Sequence, residues 1–285
     1  EEVLRDIEDG KTDAVLEALH WRGDPHSGGE WWVDPTLEKN KVLMDAVKHD
    51  RLAVVQAVLA WVGPMGQWVD ISKNGNDAIR FAVCRGNHAI VQEFLAWRGR
   101  GGRWVDARSY MNYAVKRAAE LGHVKVLRSL LQWTGPGGQC VDPTVDKNNA
   151  VRKAAEKGHV GCVKVLLKWA RPGWRHVDPT DCKNVAVRNA ATNGHTEVVR
   201  VLLNWRGPGG QFVDHTAVNN SAIKAAARLG RVGVLDVLLR YTTPTGQWVN
   251  PTFDYSNALH VSCSYGHTEV VNLLLSWRGP GGEWV

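Results

Sequence analysis

The sequence predicts an all-α fold, a solenoid of stacked helix–turn–helix units. Three observations predict it: a 36-residue period along the chain, an Asn and a Gly bracketing a short alanine-lined segment in each period, and a second segment with apolar pairs one helical turn apart. The period is read from a valine at positions 33, 69, 105, 141, 177, 213, 249 and 285. A single array over residues 1–285 is expected, with repeat boundaries near 33, 69, 105, 141, 177, 213 and 249.

Each element has a local reason. An Asp after the valine (Asp34, Asp70, Asp106, Asp142, Asp178, Asp214) suits a turn in which its carboxylate bonds backbone two residues on. The Asn at 40, 76, 112, 148, 184 and 220, replaced by Ser256 in the last unit, is expected to N-cap the first helix. Alanines such as Ala150, Ala154 and Ala155 give that helix a small face for close packing. Gly86, Gly122, Gly158, Gly194, Gly230 and Gly266 then end it at positive φ, with Asp50 the exception. The second helix carries pairs such as Cys162, Val163 and Leu166, Leu167, a stripe that only a neighbouring unit can bury.

The phrase "AATNGHTEVVRVLLNW" (190–205) resembles the ankyrin repeat, and the resemblance runs along almost the whole chain. Two features depart from that family. Asn-x-Ala-[Val/Ile/Leu]-[Arg/Lys/His], as in "NDAIR" (76–80), replaces T-P-L-H, which resembles variant repeats in arrays of protists and giant viruses. The unit is also 36 residues long instead of 33. The resemblance implies a right-handed solenoid with a concave protein-binding face built from turns and first helices, and no chemistry.

The extra residues lie in a loop flanked by aromatic rings, as in "WRGPGGQFV" (205–213). Of 14 tryptophans, 12 head or close these loops, and Trp31 and Trp174 lie inside them. A reversing loop closed by its own aromatic ends follows, with Pro at the first corner and Gly at positive φ at the next. A sugar- or base-stacking row is the functional alternative. A site would vary between units while these rings keep one place, so they read as structure. The chain begins without Met and its ending resembles an internal unit, so the array is expected to continue past 285.

Composition excludes several classes. Hydrophobic residues make up 44 % and charged residues 22 %, with no apolar run near the ~18 residues of a membrane span. No signal-peptide pattern opens the chain, and five cysteines without paired spacing read as reduced thiols. The expected location is intracellular, in the cytoplasm. The net charge of +6 is scattered among 29 acids, a weak sign of nucleic acid. Histidines 123, 159, 195 and 267 repeat once per layer, and layers about 8–10 Å apart cannot share a zinc, so they read as turn-bonding residues. The row Arg80, Lys116, Arg152, Arg188, Lys224, His260 sits where the ankyrin TPLH histidine lies and is expected to bond turn carbonyls. No catalytic, cofactor or metal motif appears, so a non-catalytic interaction scaffold without cofactor is expected. The alternatives are a nucleic-acid-binding solenoid using the basic row and a structural subunit docked through the Trp loops. The chain would act as a monomer or inside a larger complex.

The partner site is expected where the repeat stops dictating the residue. Tyr110, Met111 and Tyr113 form one such patch, and Phe253, Tyr255 and Tyr265 a second. Lys73, Asn74 and Arg85 are expected at the rim of the first.

Overall fold

The structure is a computed structural model, and it describes residues 2–20, 33–251, 258–279 and 282. Among these residues all regular structure is helical apart from isolated β-bridges. Sixteen α-helices come in pairs. The first are α1 (Glu2–Asp9) with α2 (Thr12–His20), α3 (Leu37–Lys48) with α4 (Leu52–Ala60), and α5 (Lys73–Arg85) with α6 (His88–Ala96). Next come α7 (Ser109–Glu120) with α8 (Val124–Gln132), α9 (Val145–Glu156) with α10 (Val160–Leu167), and α11 (Asp181–Asn193) with α12 (Thr196–Leu203). The last are α13 (Ala217–Arg228) with α14 (Val232–Arg240), and α15 (Ala258–Ser264) with α16 (Thr268–Ser276).

The chain forms two compact units. Unit 1 comprises residues 1–118 and 128–141, and unit 2 comprises 119–127 and 142–285. In unit 1, α1, α3 and α5 stack as first helices, with α2, α4 and α6 as second helices. In unit 2, α9, α11, α13 and α15 form one row and α10, α12, α14 and α16 the other. The apolar stripes meet between layers as the spacing demands. Val198, Val199, Leu202 and Leu203 of α12 are all buried, each worth about 1.5–3 kcal/mol. Leu275, the counterpart of Leu203 in α16, is 52 % exposed because no described layer follows to cover it.

The aspartates act as expected. Asp34, Asp70, Asp142, Asp178 and Asp214 each accept a backbone N–H and a side-chain hydroxyl two residues on, at 2.6–3.0 Å. Asp106 instead accepts from the backbone and guanidinium of Arg108. Burial alone would raise the Asp106 pKa, but the Arg108 bonds outweigh it and hold the carboxyl below its usual value.

The asparagine differs from expectation. In α3, α5, α7, α9, α11 and α13 the first residue is followed by three in the left-handed conformation, φ 47° to 66°, and the asparagine is the third, as in Asp146, Lys147 and Asn148. Its side chain does not cap its own helix. Asn148 Oδ1 accepts the Asp178 N–H of the next layer at 2.9 Å, and its Nδ2 donates to Asp181 at 2.5 Å. Asn76 does the same with Asp106 N–H and the Ser109 hydroxyl, and Asn184 with Asp214 N–H. A left-handed turn costs about 1–2 kcal/mol per residue other than Gly. The lateral bonds offset that cost, and so does the basic row: Arg152 donates to the Lys147 and Asp146 carbonyls at 2.9 and 2.8 Å. Arg188 reaches the Cys182 carbonyl at 3.4 Å.

At the other end, the glycines sit at φ 66° to 81°. Gly158 donates to the Ala155 carbonyl and His159 to the Ala154 carbonyl, the paired bonds of a Schellman ending. The histidine of the next layer then covers the glycine. His195 Nε2–H donates to the Glu156 carbonyl at 3.0 Å, and a Cβ on Gly158 would lie 2.5 Å from His195 Nδ1. His159 and His267 bond the Glu120 and Arg228 carbonyls in the same way.

Five of the loops are small hairpins closed by backbone rather than by rings at their two ends. Gly135 N–H donates to the Gln139 carbonyl at 2.7 Å beside the Thr134–Cys140 bridge. The left-handed residue is Gly138, two after Pro136, rather than the next one. The closing ring of one loop instead packs on the heading ring of the next. Trp68 lies 5.9 Å from Trp97, Trp104 lies 5.5 Å from Trp133, and Trp248 lies 5.4 Å from Trp277. Two heading rings also donate to the second helix of the preceding layer: Trp277 Nε1–H to the Leu239 carbonyl at 3.3 Å, and the Tyr241 hydroxyl to the Leu203 carbonyl at 2.7 Å. That shared bond explains why Tyr can replace Trp there. Trp169 packs edge-on against Trp174 of its own loop.

Asp50 takes the glycine's conformation at φ 57°, and Arg51 bonds the Ile7 carbonyl in the histidine's place. Asp50→Gly is therefore expected to stabilise the chain by up to about 1 kcal/mol in denaturant unfolding. His215 stands where other layers have Pro143 and Pro179, is 1 % exposed, and packs edge-on to Tyr241 at 5.1 Å. Burial pushes its pKa down to about 4, against an opposing pull from Asp214. Protonation thus favours the unfolded chain, so the neutral ring's contribution is intact above pH 6.5 and is lost as pH falls from 6.5 towards 4. The loss should reach about 3 kcal/mol, and His215→Pro should flatten that part of the stability–pH curve.

Candidate functional site

The open surface of unit 1's first helices is where its side chains depart furthest from the repeat. Position 81 is Phe where other units carry Asp45, Arg117, Lys153 and Asn189, and Cys84 stands where they carry Lys48, Glu120 and Glu156. Met44 replaces the row base in its layer. These changes turn a polar helix face into a cavity of about 450 Å³, lined by Met44, Phe81, Cys84 and Tyr113 and by the exposed Lys39 and Lys73 among others. The left-handed turns position the two lysines: Lys39 is the middle residue of one, and Lys73 directly precedes the next.

Aromatic rings and a guanidinium organise one wall. The Arg80 guanidinium carbon lies 4.4 Å from the Tyr110 ring centroid and 5.6 Å from that of Tyr113, while Asp77 pairs with the same guanidinium. Lys116 Nζ approaches the Tyr113 ring at 5.9 Å. The Tyr113 hydroxyl meets the Cys84 sulfur at 3.9 Å, and burial together with that contact pushes the phenol above its usual pKa. Such ring–cation contacts contribute about 0.5–1 kcal/mol at exposed sites, enough to hold the rings in place. The surface offers shape, apolar area and charge. Among the described residues no group of three or more His, Cys, Asp or Glu stands close enough to hold a metal ion, and no helix is long and apolar enough to cross a membrane.

A family model for ankyrin repeats, described as three copies, matches residues 115–207, 153–247 and 188–281, more than half of the chain. The chain belongs to the ankyrin-repeat family. From Val33 to residue 115 its layers keep the same 36-residue register, and the first layer is offset by four residues, Trp21 lying 40 before Trp61. A crystal structure of the human ASB11 ankyrin repeat domain is similar at 20 % identity with a TM-score of 0.45, over 72 % of this chain and 88 % of that one. No curated protein sequence matches.

Within the ankyrin array the expected site residues fall in different places. Tyr110 and Met111 lie on a left-handed turn, 61 % and 73 % exposed. Tyr113, Lys73 and Asn74 line the cavity. Arg85 lies at the far end of α5, about 12 Å along the helix from Asp77, where it donates to the Lys48 carbonyl at 3.1 Å. Tyr265 sits in the α15–α16 reversal, stacked on His267 at 6.4 Å and 60 % exposed. Phe253 and Tyr255 lie outside the described residues. The cavity thus unites three of the expected residues, with Tyr110 alongside through Arg80. Sequence reasoning missed Met44, Phe81 and Cys84, although their mismatch with other units is the signal that picked out Tyr113.

Proposed function

We propose that the chain is a non-catalytic protein-binding scaffold whose partner docks on the turns and first-helix face of unit 1. Ankyrin repeats generally mediate protein–protein interaction, and membership of that family supports the class of function. The observation that carries the location is the break in the repeat. Layers built on one repeat differ here, and the differences add Met44, Phe81, Cys84 and Tyr113 to the lining of a cavity, with exposed Tyr110 alongside through Arg80. Aromatic side chains with a polar tip and methionine suit interface anchors, because they bury large area at modest entropic cost. The nucleic-acid alternative loses support at the basic row, since Arg80, Arg152 and Arg188 are engaged with Asp77 and turn carbonyls.

The test uses the full chain as bait in its native source, with captured proteins identified by mass spectrometry. Tyr110 and Tyr113 are then changed together to Ser. Capture of the identified partner should be lost with no more than a small fall in melting temperature, the size expected from losing the Arg80 ring contacts. Retained capture, or a large fall in melting temperature, would overturn this placement.

A further inference from the structure

We propose that the unit 1 cavity takes an acidic peptide segment anchored by an aromatic or large aliphatic side chain, a specificity that rests on the protein-binding reading above. The walls set the anchor. Met44, Phe81 and Tyr113 offer apolar surface from three successive layers, and about 450 Å³ accommodates one or two large side chains. A thioether and two rings adapt to an aromatic or branched guest better than the alanine faces of other layers do.

Charge sets the flanks. Three acids also line the cavity, and each is already engaged: Glu38 with Lys41 at 3.0 Å, Asp77 with Arg80, and Asp70 with Arg103 at 3.0 Å. Lys39 and Lys73, both exposed along the lining, form no ion pair among the described residues, so the uncompensated charge there is positive. An incoming carboxylate gains two cations there without displacing an existing pair, whereas an incoming base meets only repulsion or acids already paired. The paired acids also set a phosphate chain at a disadvantage, because its closely spaced charges would pass Glu38, Asp70 and Asp77 as well as the lysines.

Random dodecapeptides displayed on phage are selected against the full chain, and the enriched peptides are synthesised with a fluorescent label. They should carry Asp or Glu beside Phe, Tyr, Trp or Leu, and their affinity should fall as salt is raised from roughly 50 to 300 mM. Lys39→Glu combined with Lys73→Glu should weaken binding on the order of tenfold at unchanged melting temperature, because both side chains are exposed. Phe81→Asp, the residue type found at position 45, should abolish it. Enrichment of neutral or basic peptides that still require Phe81 and Tyr113 would overturn the acidic specificity and leave the protein-binding site standing. Peptides indifferent to all four residues, or no enrichment, would overturn both. A single-stranded oligonucleotide that displaces the peptides at equal concentration would overturn the choice of a peptide.

Discussion

A side-chain amide that reaches from one layer into the backbone of the next sets the register on which these stacks depend. Asn76, Asn148 and Asn184 each accept the N–H of the turn aspartate 30 residues ahead. That N–H belongs to a turn that is itself closed by the aspartate's carboxylate. The lateral bond therefore ties the mouth of one turn to the start of the following helix pair, and a buried donor left without it would cost about 1–3 kcal/mol. The left-handed turn follows from this demand. A right-handed start would point the amide along its own helix, whereas three residues at positive φ turn it across to the neighbour. Asparagine tolerates that conformation better than most residues, but Val218 and Cys182 do not, and they are held there by the layer they serve.

The other two lateral contacts use the same logic at different heights. At the helix reversal, a glycine at positive φ opens space that the next histidine fills, donating to a carbonyl the helix leaves unpaired. At the hairpin, the Trp277 ring packs on the preceding loop and donates to the end of the preceding second helix. Polar bonds thus pin the interfaces at separate points, and the apolar stripe between them supplies most of the free energy of stacking. Because these contacts use nearly the same residue types from layer to layer, the surface left over is where layers differ most. Phe81, Met44 and Tyr113 lie on that surface, which is why a cavity forms without disturbing the repeat.

Much of this was legible in the sequence because it follows local rules. The glycine endings and the aspartate turns rest on contacts within a few residues, and the apolar pairs of the second helix repeat at helical spacing even though a neighbouring layer buries them. Asn148 was misread as a cap because its partner lies 30 residues away, and a cap and a lateral bond use the same side chain. The left-handed turn was invisible for a related reason: Tyr110, Val218 and Cys182 are residues that local preference keeps out of that region. The tryptophan pairing was missed by one layer, since spacing shows that two rings recur but not which two meet. In the site, Tyr113 and Lys73 stood out as breaks in a pattern. Arg85 shares a helix with Lys73, and only the number of turns between them separates the two.

The lateral amide is tested most directly at Asn148, 3 % exposed, by replacing it with glycine and measuring denaturant unfolding together with hydrogen exchange at Asp178. Glycine accepts φ 55° more readily than asparagine, so relief of the left-handed turn alone would leave the chain as stable or more so. Loss of at least about 1 kcal/mol, with the Asp178 amide losing its protection, is the result expected if the amide holds the layers together. Unchanged or increased stability, with Asp178 still protected, would contradict it.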